Sequence, residues 1–178
     1  MNLINLDTAI IVALGANLSG PSGTPMETVT SAIASLPAEG LPVIAVSGWW
    51  RSAAWPDSRD PDYINGVALV EATLGPGATL AALHRIEVRH GRTRGGANAP
   101  RTLDLDLIAH GRMILQTPDL ILPHPRAAER LFVMGPLAEL APHWRHPVTG
   151  RTAADLAAAA TVGLDSTPLG SPREAGQG

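Results

Sequence analysis

Two aspartates spaced by one residue carry the strongest chemical signal in this chain. They stand in the run Pro100-Arg101-Thr102-Leu103-Asp104-Leu105-Asp106. Alternate residues of a strand project to one face, about 6–7 Å apart along the chain. Asp104 and Asp106 therefore project together, while Leu103, Leu105 and Leu107 turn to a core. Neighbouring carboxylates repel, so the pair requires a cation or one retained proton. Hard oxygen ligands without His or Cys beside them suit Mg²⁺. The spacing also admits two metal ions about 4 Å apart, as in phosphoryl-transfer sites. An exposed strand face that carries two acids would give the same D-x-D pattern, and the surroundings argue against it. Between Arg85 and Arg101 stand five arginines (85, 89, 92, 94, 101) against one acid, Glu87. Guanidinium groups grip phosphate oxygens in pairs and stay charged. Arg92, Arg94 and Arg101 flank the carboxylates and run off a helix into a Gly/Pro loop, unlike a merely solvated helix face. This combination describes a nucleotide polyphosphate site that closes over its substrate.

Two further groups could serve such a site. His124 lies between prolines in Leu122-Pro123-His124-Pro125-Arg126. Its small backbone freedom suits a preorganised phosphate donor, and the local sequence fits a surface-loop histidine equally well. Arg130 and Phe132 follow. Tyr63 and Asn65 are two residues apart where a loop enters a strand, so they share a face. Asn offers donor and acceptor to a heterocycle edge, and two aromatics can stack on either side of a flat ring. On residue type alone, Phe132 reads as core rather than clamp.

Composition narrows the chemistry. All thirteen basic residues are arginine, which excludes Schiff-base lysines, the P-loop lysine and the protein-kinase strand lysine. There is no cysteine, hence no disulfide, thiolate metal site or thiol nucleophile. One Tyr, one Phe and four Trp leave the core to aliphatic residues. A net charge of −3 argues against general nucleic-acid binding. The longest apolar run, Ala9–Leu14, is too short to span a membrane, and no basic stretch precedes it as in a signal peptide. The default expectation is a cytoplasmic monomer.

These residues need elements to position them. Ala9–Leu14 reads as a buried strand ended by Gly15. Thr24, Pro25 and Glu27 form a capping box ahead of a helix that Pro37 stops. Val43–Ser47 and Val67–Glu71 read as strands, with a long exposed loop over Trp49–Asn65. Pro76 opens a second helix stopped near Gly91. Leu103–Ile108 alternates and reads as a two-faced strand. Short extended pieces near Met113–Leu115 and Asp119–Leu122, a short helix near Ala127–Leu131 and a helix over Thr152–Ala160 complete the pattern. One domain is expected over residues 1–161, with a flexible tail over 162–178. The order strand–helix–strand–strand–helix–strand predicts an α+β fold with a ferredoxin-like split βαβ core, its two helices packed on a mostly antiparallel sheet. The opposite sheet face is covered by the C-terminal third or left open to a ligand.

The motifs in sequence order are Ala13-Leu14-Gly15-Ala16-Asn17-Leu18, Asp62-Tyr63-Ile64-Asn65, Arg85-Ile86-Glu87 with Gly91-Arg92-Thr93-Arg94, PRTLDLDLI, LPHPR, Arg130-Leu131-Phe132-Val133 and Pro136-Leu137-Ala138-Glu139-Leu140-Ala141-Pro142. Together they resemble the 6-hydroxymethyl-7,8-dihydropterin pyrophosphokinase family of folate biosynthesis. The resemblance implies transfer of the terminal diphosphate of ATP to the pterin's hydroxymethyl oxygen, with AMP released. It implies two Mg²⁺ ions on Asp104 and Asp106, and Arg92 and Arg101 stabilising the transferring group. It places His124 and Arg130 on phosphates and Glu87 near the metal and nucleotide. It stacks the pterin between Tyr63 and Phe132, with Asn65 reading its edge. Ser52, Ala53 and Trp55 match a pterin-side stretch that departs from the family's usual residues. The loop before Pro100 looks short, so an aromatic seal would have to come from Trp49, Trp50 or Trp55. A non-catalytic ferredoxin-like module binding nucleotide or RNA, and a two-metal phosphatase or nuclease, are the competing readings. The first would leave the paired aspartates unexplained, and its sheet face would need more exposed aromatics than this chain carries.

Overall fold

The computed structural model describes residues 4–54, 57, 59–92 and 102–170. Strand β1 (Ile10–Ala16) is buried along its whole length. Helix α1 (Pro25–Ser35) begins at the expected capping box: Thr24 Oγ1 accepts from the Glu27 amide at 3.3 Å, and Glu27 Oε2 accepts from the Thr24 amide at 2.7 Å. Then come β2 (Val43–Val46), β3 (Trp50–Ser52), β4 (Tyr63–Val70), α2 (Pro76–Arg89) and β5 (Asp104–His110). A small hairpin of β6 (Leu115–Gln116) and β7 (Ile121–Leu122) precedes α3 (Leu131–Leu140), α4 (Ala153–Ala158) and β8 (Thr167–Pro168).

The main sheet runs β5-β1-β4-β3-β8, with β2 also on β4, and each of these pairs is antiparallel. Strands β2 and β3 take successive lengths of one edge of β4, so together they act as the second strand of the ferredoxin-like order. Ser47 bridges the break: its amide donates to the Val67 carbonyl and its Oγ accepts from the Val67 amide, both at 2.9 Å. Trp49 covers Gly66 there, where a Cβ would come within 2.5 Å of the indole.

Alternation along each strand builds two cores. Ile10, Val12 and Leu14 of β1, with Leu105 and Leu107 of β5, pack against α1 and α2 through Val29, Ala32, Leu83 and Ile86. Ile11, Ala13, Val67, Leu69 and Ile108 face the other way, against Val133, Met134 and Leu137 of α3 and Leu156 of α4. The C-terminal third therefore covers the second face. Burial of these aliphatic side chains is the main stabilising term, about 1.5–3 kcal/mol for each large one. Among the described residues, no helix is long and apolar enough to cross a membrane.

Three expectations change. The loop expected over Trp49–Asn65 contains β3 and the start of β4, because Trp50–Ser52 pairs with Tyr63–Asn65 across the charged, proline-containing stretch. The short helix expected near Ala127–Leu131 is a 3₁₀ turn over Ala127–Glu129, and a full helix follows it. Within that helix Gly135 admits the ring of Trp50, which a Cβ would meet at 2.6 Å, while Trp50 Nε1–H donates to Glu139 Oε2 at 2.5 Å. Beyond residue 161 the chain is still paired, since β8 adds an edge to β3 through Trp50↔Pro168 and Arg51↔Thr167.

Candidate active site

The sheet register brings the sequence-predicted residues to one end of the face that α3 covers. Asp104 pairs with Gly15, Gly15 with Asn65, and Asn65 with Trp50; Asp106 pairs with Ala13 in the next such row. Cross-strand partners project to the same side. Asp104 and Asn65 therefore share a face, separated only by Gly15, which raises no side chain between them. Two strand spacings put their backbones about 9–10 Å apart. Asp104 and Asp106 are both half-buried on β5, an edge strand of the sheet, while Leu105 between them is buried on the other side.

Around Asn65 the site is fixed by hydrogen bonds. Asn65 is buried, and its Nδ2 donates to Ser52 Oγ at 2.8 Å. Its Oδ1 lies 3.3 Å from where a Gly15 Cβ would stand, and Tyr63 Cδ1 lies 3.7 Å from the same point. Tyr63 and Asn65 thus flank the Gly15 gap, as their two-residue spacing predicts. Asn17 Nδ2–H donates to the Pro61 carbonyl at 3.2 Å and anchors the chain entering β4. Ser52 is buried and Ala53 exposed. Phe132, at the start of α3, is half-buried at the rim of the second core, with the Arg130 guanidinium 5.8 Å from its ring centroid.

The charged end wraps around the edge of β5. Glu87, on α2, is 1% exposed and forms an ion pair with Arg92, whose Nη1 also donates to Asp104 Oδ1 at 3.4 Å. Arg92 therefore joins the helix carboxylate to the strand carboxylate. His124 is held against β5 by its own amide, which donates to the Ile108 carbonyl at 2.8 Å, beyond a cis Leu122–Pro123 peptide. Its Nδ1 accepts from the Arg126 amide at 3.2 Å, so a neutral ring carries its proton on Nε2. Burial, with the Arg130 charge second, pushes the His124 pKa below its ordinary value, against an opposing pull from Asp104. Trp55 and Arg101 lie outside the described residues. Of the proposed aromatic seals, Trp49 and Trp50 are committed elsewhere, to Gly66 and Gly135.

A two-carboxylate set fits Mg²⁺, which commonly binds through one or two carboxylates and completes its shell with water and substrate phosphates. Among the described residues there is no set of three or more His, Asp or Glu side chains to hold a metal by protein ligands alone. Sequence reasoning passed over Gly15 as a site residue. Its sequence signal is the glycine within ALGANL, expected to end the first strand; the pairing places it inside β1 instead, between Asn65 and Asp104.

The family model for 7,8-dihydro-6-hydroxymethylpterin-pyrophosphokinase matches residues 11–142. The chain belongs to this family. Among its relatives, the 2-amino-4-hydroxy-6-hydroxymethyldihydropteridine pyrophosphokinase of Synechocystis is 41% identical over 143 residues, covering 80% of this chain and 71% of that protein. The enzyme of the same name from Pseudomonas aeruginosa is 38% identical over 160 residues, covering 89% of this chain and 96% of its own. The wild-type Plasmodium falciparum HPPK-DHPS, solved with pterin and p-hydroxybenzoate, superposes with a TM-score of 0.62 at 11% identity. That match covers 84% of this chain and 42% of the solved chain, and it supports the fold alone. The ferredoxin-like fold is thus shared with the HPPK family.

Proposed function

We propose that the chain transfers the terminal diphosphate of ATP to the hydroxymethyl oxygen of 6-hydroxymethyl-7,8-dihydropterin, releasing AMP, in folate biosynthesis. The observation that carries this reading is the row Asp104–Gly15–Asn65. A paired carboxylate site and a heterocycle-reading amide lie on one face, with a side-chain-free gap between them. A flat ring set across Gly15 has its edge at Asn65 and its hydroxymethyl arm toward Asp104. Tyr63 and Phe132 supply the stacking surfaces, and Ser52, Ala53 and Trp55 form the adjoining wall.

Asp104 and Asp106 would hold Mg²⁺, two ions in this reading, which supplies charge neutralisation on the ATP phosphates. Glu87 and Asp104 orient Arg92, and Arg92 with Arg101 offsets charge developing on the transferring phosphate oxygens. His124, through Nε2–H, and Arg130 bind the polyphosphate. The hydroxymethyl oxygen attacks the β-phosphorus in line. Its O–H bond breaks, the new O–P bond forms, and the bond from the β-phosphorus to the oxygen it shares with the α-phosphate breaks, so that AMP leaves and a proton passes to solvent. Positioning and charge neutralisation carry such transfers. The protein acts as a cytoplasmic monomer, which size-exclusion chromatography and fractionation test.

Incubation with Mg-ATP and the hydroxymethyl dihydropterin tests the reaction. AMP that depends on pterin is the expected product. ADP, or ATP hydrolysis without pterin, would assign the site to a phosphatase or nuclease. A non-catalytic module would bind nucleotide and leave it intact.

A further inference from the structure

The segment after α4 meets both walls of the proposed pterin site. Leu131 N–H, one residue before Phe132, donates to the Val162 carbonyl at 2.9 Å. Gly163 then passes against the Phe132 ring: its φ is +70°, and a Cβ there would come within 2.5 Å of Phe132 Cδ1. Two residues later, Asp165 Oδ2 accepts from the Ala53 amide at 2.5 Å, beside Ser52, which holds Asn65. Ser166 is buried, its Oγ 3.2 Å from the same Gly163 Cβ position and without a hydrogen-bond partner. β8 then fastens the segment to β3, and the Leu169 amide donates to the Trp49 carbonyl at 2.8 Å. Further along, β3 also meets α3 where Trp50 packs on Gly135 and bonds Glu139, so the strap adds its hold at the Ala53 and Phe132 ends.

We propose that Val162–Pro168 is a strap that sets the width of the pterin site, with Asp165 and Gly163 as its positioning residues. The inference rests on the pterin reading of Tyr63, Asn65 and Phe132. Asp165 fixes the Ser52–Ala53 wall, and Gly163 fixes the plane of Phe132, so the gap between the stacking surfaces is defined before substrate arrives. Preorganisation of this kind acts on affinity by removing the cost of ordering the site. Asp165 and Gly163 act on Ala53 and Phe132, whereas Val162 at the strap's start pairs with Arg130 of the proposed phosphate site, so substitution at Asp165 or Gly163 is what separates pterin from ATP.

The test compares full-length wild type with Asp165→Ala, Asp165→Asn and Gly163→Ala. Asp165→Ala should raise the pterin Kd and KM about tenfold, equivalent to about 1.4 kcal/mol, with kcat and the ATP KM within twofold. Asp165→Asn keeps an acceptor for the Ala53 amide and should restore most of the affinity. Gly163→Ala, which must displace Phe132, should act in the same direction. Hydrogen exchange on the free proteins gives a reading independent of activity: Asp165→Ala should speed exchange at Ala53 and Leu131 without lowering the global melting temperature by more than a few degrees. If wild type binds pterin and Asp165→Ala binds it equally well, the strap is overturned while the active-site reading stands. Equal losses for pterin and ATP, or no rescue by Asp165→Asn, would also overturn it as a general fold effect. Absence of pterin binding by wild type would overturn the site reading and the strap with it.

Discussion

Replacing Gly15 with alanine adds one methyl group to the gap between Asn65 and Asp104. The new Cβ would stand 3.3 Å from Asn65 Oδ1 and 3.7 Å from Tyr63 Cδ1, with the nearest backbone atom, the Ile64 carbonyl oxygen, 4.0 Å away. The contact with Asn65 is tight, but no backbone has to move. Overpacking should cost no more than about 1 kcal/mol, and the smaller conformational freedom of alanine in the unfolded chain offsets about 0.4–1 kcal/mol of that. Substrate binding should suffer far more. A Cβ rises about 1.5 Å above the backbone, a bond length, and lifts a ring lying across Gly15 by a similar distance. Ring-edge hydrogen bonds to Asn65 weaken steeply with such a displacement. Loss of two, at about 1 kcal/mol each, corresponds to a roughly 30-fold higher pterin Kd. A shift of about 1 Å at the reacting centre can cost a further factor of about 100 in turnover. Calorimetric titration with pterin, a matching titration with ATP, AMP release and a thermal melt separate these effects. ATP affinity should hold within twofold and the melting temperature within about 5 °C. Pterin affinity and AMP release within threefold of wild type would refute the placement of the ring across Gly15.

Other perturbations probe the charged end. Asp104→Asn and Asp106→Asn should each keep the fold by circular dichroism and lose AMP formation by at least about 100-fold, as expected where charge stabilisation of the transition state is removed; full activity in either would refute the metal assignment. Arg92→Ala leaves the Glu87 carboxylate, only 1% exposed, without its partner, and breaking a buried pair this way costs about 3 kcal/mol. Adding Glu87→Gln should recover much of that stability in urea melts but none of the activity, whereas recovery of neither would refute the pairing. His124 is held below its ordinary pKa by burial and by Arg130. The unfolded chain therefore takes up a proton first, so the stability contributed by neutral His124 is full above pH 6.5 and is lost as pH falls below it. Bound polyphosphate favours the imidazolium instead, so ATP binding near pH 7 should take up a proton at this site. Titrations in two buffers of different ionisation enthalpy should show more proton uptake for wild type than for His124→Gln, and equal uptake would remove His124 from the phosphate site.

The features legible in sequence were those encoded by short-range periodicity and local chemistry. The alternation LDLDL placed Asp104 and Asp106 on one face and the leucines in the core, as found. The Thr24/Glu27 box marked the start of α1, because capping is a four-residue interaction. Helix α3 escaped because a helix buried on most sides has no polar stripe to betray its period, and Gly135-Pro136 imitates a stop. Strand β3 escaped because its three residues are specified by pairing to Tyr63–Asn65, a long-range contact. Gly15 became a site residue only once the register set it between Asn65 and Asp104. Asp165 meets the Ala53 amide across 112 positions, and a Gly/Ser/Pro-rich stretch gives no local sign of such a partner.

The central claim is tested most directly by incubating the protein with Mg-ATP, with and without 6-hydroxymethyl-7,8-dihydropterin, and separating the nucleotides and pterins. The account predicts AMP and pterin diphosphate in equal amounts, formed only when ATP, Mg²⁺ and pterin are all present. ADP as the product, or nucleotide turnover indifferent to pterin, would contradict it.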